Sequence, residues 1–147
     1  MQIALRPALP EDRAFAQALY FETMRWIIER LFGWDEARER LNFAAFYDLG
    51  GVEIITADGA EVGWMQVQPA EGAIFLGSLY VKPEMQRRGI GTEVLRGLLA
   101  RARRESKAVT LAVVKINPAV GLYERHGFRR THEDTYKVYL RAESGPA

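Results

Sequence analysis

Six consecutive residues, Gln86-Arg87-Arg88-Gly89-Ile90-Gly91, place two glycines and two arginines between an apolar, strand-like stretch (residues 73–81) and a helix-like one (residues 92–104). A loop of this kind presents bare backbone N–H groups at the positive end of a helix, which is a site for an anion. Gly89 and Gly91 carry no Cβ, so a phosphate can approach the backbone closely. For Arg87 and Arg88, ligand contact is favoured over a merely solvated position. A P-loop would need Gly-Lys-Ser/Thr, which is missing. A dinucleotide fingerprint would need a third glycine where Val94 stands.

A second stretch, Asn117-Pro118-Ala119-Val120-Gly121-Leu122-Tyr123-Glu124-Arg125-His126-Gly127-Phe128, follows about thirty residues later, after another apolar strand. The loop, read as Q-x-x-G-x-G after a strand ending Leu79-Tyr80-Val81, and this segment, read as N-P-A-x-x-L-Y-E-x-x-G-F, together resemble the GNAT superfamily of N-acetyltransferases. The resemblance covers residues 61–131 in detail and the rest in layout. It implies acetyl-CoA as acyl donor, with a primary amine attacking the thioester directly. It also implies a coenzyme site built from Leu79, Tyr80, Val81, Gln86, Arg87, Arg88, Gly89, Ile90, Gly91, Thr92, Asn117 and Tyr123.

Such a transfer needs the thioester beside a neutral amine, stabilisation of an oxyanion, and a proton for the departing thiolate. A backbone N–H near Leu79 to Val81 would serve the oxyanion, because preorganised dipoles stabilise developing charge well. Tyr123 is the expected proton donor, since the resemblance sets a tyrosine there beside the coenzyme sulfur. The competing reading is a core aromatic packed under Phe128. Asn117 reads equally as an N-cap before Pro118 and as a holder of the pantetheine amide. Ser78 and Tyr80 stand on the strand beside the site, or are plain packing. No general base stands out: Glu84 reads as solvated, Glu22, Asp35 and Glu36 border the acceptor side, and a water relay would serve as well.

The chain has 147 residues, enough for one domain with its own core, and the whole length is expected to be one acetyltransferase domain. Its mean hydropathy is slightly negative and no apolar run reaches membrane-span length, so a soluble, cytoplasmic protein is expected, with no membrane partner. The first residues lack the basic-then-apolar pattern of a signal peptide. With no cysteine and only His126 and His132, neither disulfides nor a metal site are expected. Net charge is +1, yet residues 82–107 hold eight basic and three acidic side chains, a net +5 that leaves −4 elsewhere. This suits a small polyanion. For Arg101, Arg103 and Arg104, a solvated helix end is an equal alternative. Nucleic acid is not an expected partner of so nearly neutral a chain. A non-catalytic acyl-CoA sensor is the rival function, and a homodimer is an open arrangement.

These groups need a scaffold. Residues 2–6 read as a strand closed by Pro7. Pro10-Glu11-Asp12 starts a helix whose stripe is Phe15, Leu19, Thr23, Ile27 and Leu31, broadened by Ala18, Trp26 and Ile28, with Gly33 as its stop. Asp35 caps a second helix, residues 36–48, with Leu41, Ala44 and Ala45 inward and Gly50-Gly51 ending it. Residues 52–56 and 61–68 form a hairpin about Asp58-Gly59, the latter strand turning Val62, Trp64 and Gln66 to one face. Pro69 to Gly72 turn into the central strand, residues 73–81. The helix after the loop buries Val94, Leu95, Leu98, Leu99 and Ala102. Residues 108–116 form another buried strand, 118–125 a short helix stopped by Gly127, and 128–131 with 136–140 a closing pair. Residues 142–147 read as frayed.

The expected fold is a mixed α/β, mostly antiparallel central sheet with flanking helices, the acyl-CoA N-acyltransferase fold. By resemblance, its fourth and fifth strands, 73–81 and 108–116, are parallel and splay apart to admit the pantetheine arm. Acceptor choice is expected in residues 15–47, which hold nine of the chain's sixteen aromatics.

Overall fold

A salt bridge sets the angle at which the first helix leaves the first strand. Strand β1 (Ile3–Pro7) ends in proline, and a 3-10 turn over Pro10–Asp12 leads into helix α1 (Arg13–Phe32). The Asp12 carboxylate accepts from two guanidinium nitrogens of Arg6 at 2.8 and 3.1 Å and from the Leu9 N–H at 2.7 Å. The computed structural model describes residues 1–144. Helix α1 stops at Gly33, whose φ of 76° is open to glycine and strained for other residues.

Helix α2 (Glu36–Phe46) is capped by Asp35, whose Oδ1 accepts from the Arg38 N–H at 3.1 Å. The hairpin strands β2 (Val52–Ala57) and β3 (Ala60–Ala70) meet at Asp58 and Gly59, with φ of 51° and 87°. Two successive left-handed residues make the turn that matches strand twist. Strand β4 (Ala73–Val81), helix α3 (Ile90–Arg104), strand β5 (Ala108–Val114), helix α4 (Ala119–Arg125) and strands β6 (Arg129–Glu133) and β7 (Lys137–Ala142) complete the chain. One seven-stranded sheet runs β1-β2-β3-β4-β5-β7-β6. The β4–β5 pair is parallel, registered from Ala73↔Ala108 to Leu76↔Leu111, whereas β4 continues to Val81 and β5 to Val114. The outermost strand, β6, is exposed along its whole length, and its register with β7 shifts between Arg130 and His132.

The chain gathers into two compact units, residues 1–66 with 78–91, and residues 67–77 with 92 onward. The first unit is centred on Leu19, Tyr20, Phe43, Ile54 and Trp64, all buried, and the Trp64 Nε1–H donates to the Ala16 carbonyl at 3.0 Å. In the second, the buried residues include Leu95 and Leu98 of α3, Val109 of β5 and Leu140 of β7.

Several expectations need correction. Helix α2 is turned the other way: Leu41 is 72% exposed, Ala44 and Ala45 are exposed, and Glu39 and Phe43 are buried. Its two stripes compete, and the one carrying Phe43 and Phe46 removes more apolar area from water than leucine with alanines. The helix ends at Phe46, with Tyr47 as its cap, before Gly50 and Gly51 are reached. On α1, Leu19, Ile27 and Ile28 are buried as expected, but Ala18 is exposed and Trp26 is 46% exposed. A turn of about 3.6 residues carries part of the wider stripe off the core. Helix α3 begins at Ile90, two residues early, so Gly91 and Thr92 lie in its first turn. Strand β3 runs through Pro69, and β5 stops at Val114. Ala142 is a buried strand residue, not a frayed one. Residues 145–147 of that expected tail lie outside the described residues.

Candidate active site

The glycine loop is shaped by its own backbone. After β4, a 3-10 turn at Pro83–Met85 reverses the chain, and Arg87 and Gly89 both take positive φ, 64° and 83°. A Cβ at Gly89 would meet nothing within 4 Å, so the loop's outer side is open there. Arg87, Arg88 and Gly89 are exposed, and Ile90 is buried and roots the loop. The first N–H groups of α3, from Ile90, Gly91 and Thr92, have no carbonyl of their own helix to bind. They and the two arginines make a basic, backbone-rich surface. The exposed Gln86 side chain folds back on the strand, its Nε2 donating to the Val81 carbonyl at 2.9 Å. It ties loop to strand.

The end of β4 adjoins a polar group inside an aromatic core. Tyr80 lies against Trp64 and Tyr20, with ring centroids 5.1 and 5.8 Å apart. Burial pushes its phenol up to about 12, against an opposing hydrogen bond with Ser78, so it stays neutral through the working pH range. Burial also raises Tyr20, and the Tyr20 hydroxyl donates to Glu39 Oε1 at 3.3 Å. Glu39 is 3% exposed and is further held by Arg38 Nε at 2.9 Å and Asn42 Nδ2 at 3.4 Å. Arg38 also donates to the Gly33 carbonyl. In this unit Leu79, Tyr80, Val81 and Gln86 come together. Of the acids weighed as a base, Asp35 caps α2, and Glu36 is exposed and pairs with Arg40 at 3.6 Å.

In the second unit, Asn117 and Tyr123 stand at opposite ends of α4. Asn117 Oδ1 accepts from the Ala119 N–H at 2.9 Å, so the capping reading holds. Tyr123 is buried, edge-on to Phe128 at 5.6 Å, so the packing reading holds too. The capping contact does not use Asn117 Nδ2. Arg103 and Arg104 are exposed in the last turn of α3, where the helix dipole favours them, and Arg101 is half-buried.

Two residues escaped sequence reasoning. Glu39 lies four residues before Phe43, on the aromatic stripe of α2, which is the signal that could have found it. Gly63 interrupts the apolar alternation of β3, and glycine inside a strand marks a bulge or a close backbone approach. A Cβ there would lie 2.2 Å from the Tyr80 carbonyl oxygen.

Residues 48–130 match the acetyltransferase (GNAT) domain family. This chain belongs to the GNAT family. PaiA N-acetyltransferase from Thermoplasma acidophilum, in complex with coenzyme A, superposes with a TM-score of 0.80 at 18% identity, over 97% of this chain and 99% of that one. An acetyltransferase from Thermus thermophilus gives 0.76 at 14% identity, with 97% of each chain covered. The ribosomal-protein-S18-alanine N-acetyltransferase from Escherichia coli gives 0.69 at 20%, over 99% of this chain and 96% of that one. At such identities the likeness speaks for the GNAT fold alone. No curated protein matches the sequence. Among the described residues, no helix of this GNAT domain is long and apolar enough to cross a membrane.

Proposed function

We propose that this domain, all 147 residues acting as one, transfers the acetyl group of acetyl-CoA to a primary amine by direct attack. The observation that carries the reading is the junction of β4, the Gln86–Gly91 loop and the N-terminus of α3, within a chain of the GNAT family. The coenzyme complex of the PaiA enzyme adds support by analogy. The loop fits a pyrophosphate: its outer side is open at Gly89, its arginines are exposed, and the first N–H groups of its helix have no carbonyl of that helix to bind.

Acetyl-CoA supplies an activated acyl carbon with a thiolate as leaving group. The loop N–H groups from Arg87 to Thr92 hold the pyrophosphate, with Arg87 and Arg88 adding charge and Gln86 tying the loop to β4. Backbone groups of Leu79, Tyr80 and Val81 align the arm, and an N–H among them stabilises the oxyanion. The amine nitrogen forms its bond to the acyl carbon as the carbon–sulfur bond breaks. The Tyr123 hydroxyl gives its proton, or a hydrogen bond, to the departing sulfur; water takes the proton lost by nitrogen and returns one to any phenolate left at Tyr123. Asn117 caps α4 through Oδ1 and holds the pantetheine amide through Nδ2. No metal enters this chemistry, and its setting is the cytoplasm.

Calorimetry with acetyl-CoA, followed by detection of free thiol across a panel of primary amines, tests the reading. The expected result is one-to-one binding and thiol release with at least one amine class. Binding with no release for any amine would instead make the chain an acyl-CoA-binding module.

A further inference from the structure

We propose that the exposed face of α1 is an interface between two copies of this chain, packed antiparallel about a two-fold axis at Trp26. The inference stands apart from the acetyltransferase reading. Trp26 is 46% exposed near the middle of a 20-residue helix. Four residues to either side stand Glu22 and Arg30, both exposed, so the three make one i, i+4 row on the helix surface. Other charges on these helices pair within the chain, Arg25 with Glu29 at 3.8 Å and Arg40 with Glu36 at 3.6 Å. Among the described residues, Glu22 and Arg30 have no such partner, and Trp26 has no ring partner. Glu22 and Arg30 lie about 12 Å apart along the axis, with the indole between them. The helix dipole accounts for Arg30 in the last turn, but not for Glu22 in mid-helix or for the exposed indole.

A two-fold axis through Trp26 supplies every missing partner at once. It lays the row of one copy along the reversed row of the other, as i, i+4 ridges do when helices cross at about 50°. Trp26 then meets the partner's Trp26, Glu22 the partner's Arg30, and Arg30 the partner's Glu22. A parallel pairing would set glutamate on glutamate and arginine on arginine. The order of charges therefore selects the antiparallel, self-complementary arrangement and penalises the other. The indole is the anchor, as buried aromatics at the centre of interfaces are. The charges beside it fix register more than they add affinity. Ala18, exposed one turn before Glu22, leaves room for the partner helix to cross. The face is one helix wide, short of what a permanent dimer buries, so the association is reversible and concentration-dependent.

The test is sedimentation velocity on the full chain, from micromolar to millimolar concentration. The wild type should move from 16.7 kDa towards twice that mass. Trp26→Glu should stay at the monomer mass throughout. Leu41→Glu, at the more exposed apolar side chain of α2, should behave as the wild type does. Glu22→Arg and Arg30→Glu should each raise the dimer dissociation constant about tenfold or more, because each sets like charges together. Mixed in equal amounts, those two variants should associate as the wild type does, since each copy now carries the charges that the other lacks. All four positions are exposed, so melting temperatures should match that of the wild type. If Trp26→Glu does not fold, the mixing experiment decides. A wild type that stays monomeric at millimolar concentration overturns the proposal, as does a mixture that associates no better than its components. Loss of amine acetylation in a Trp26→Glu chain that still dimerises would give this face to another ligand, and overturns it too.

Discussion

Replacing Tyr123 by phenylalanine removes one oxygen and leaves the ring in its edge-on contact with Phe128 at 5.6 Å. If the hydroxyl serves the departing thiolate, kcat should fall about 10²-fold, the lower end of what one acid–base group contributes. Acetyl-CoA affinity and melting temperature should barely change. A fully active Tyr123→Phe, measured where chemistry limits the rate, would leave the ring a packing group only. Tyr123 and Asn117 drew notice in the sequence because they share one short segment of fixed spacing. Glu39 and Gly63 carried only weak local signals, because what matters about them is contributed from far along the chain. Glu39 meets Tyr20 from another helix, and Gly63 meets the carbonyl of Tyr80 on the next strand. Glu22, Asp35 and Glu36 drew notice by position, yet Glu39 is the carboxylate tied into the aromatic core.

The loop and the start of α1 are elements whose electrostatics can be tested separately. Arg87→Glu combined with Arg88→Glu should weaken acetyl-CoA binding, and the loss should shrink as salt rises, because exposed charges are screened. Titration calorimetry at two ionic strengths decides it, and a loss indifferent to salt would mean damage to the loop itself. At α1, the hydrogen bonds from Arg6 and the Leu9 N–H hold the Asp12 carboxyl below the usual carboxylate range. The unfolded chain titrates near about 3.9, so this stability is complete above that pH and is lost as pH falls through the lower folded value. Asp12→Asn should cost about 1–3 kcal/mol near neutrality, and its denaturation curve should approach that of the wild type in acid. Elements with one apolar face, such as α3, showed that face in the sequence: Val94, Leu95, Leu98 and Ala102 are buried. Helix α2 was not: both its stripes are apolar in part, and only the aromatic core that receives Phe43 decides between them.

At the scale of the molecule, the parallel pair within an otherwise antiparallel sheet was foreseeable from the motif resemblance. The insertion of β7 between β5 and β6 was not, because local pattern identifies strands and not their neighbours. That insertion leaves β6 outermost, exposed along its length, with Arg129 and Arg130 on it and a break in register beside them. An outer strand with free backbone groups invites another chain to pair with it. Here Arg129 and Arg130, the latter paired with Glu124 at 3.6 Å, put charge on a strand that does not run true. The consequence is colloidal: concentrated solutions should stay clear on warming until the fold itself gives way. Arg129→Val with Arg130→Val should lower the onset of light scattering below the midpoint of unfolding. An onset that still tracks unfolding would mean that the uneven register alone keeps the molecules apart.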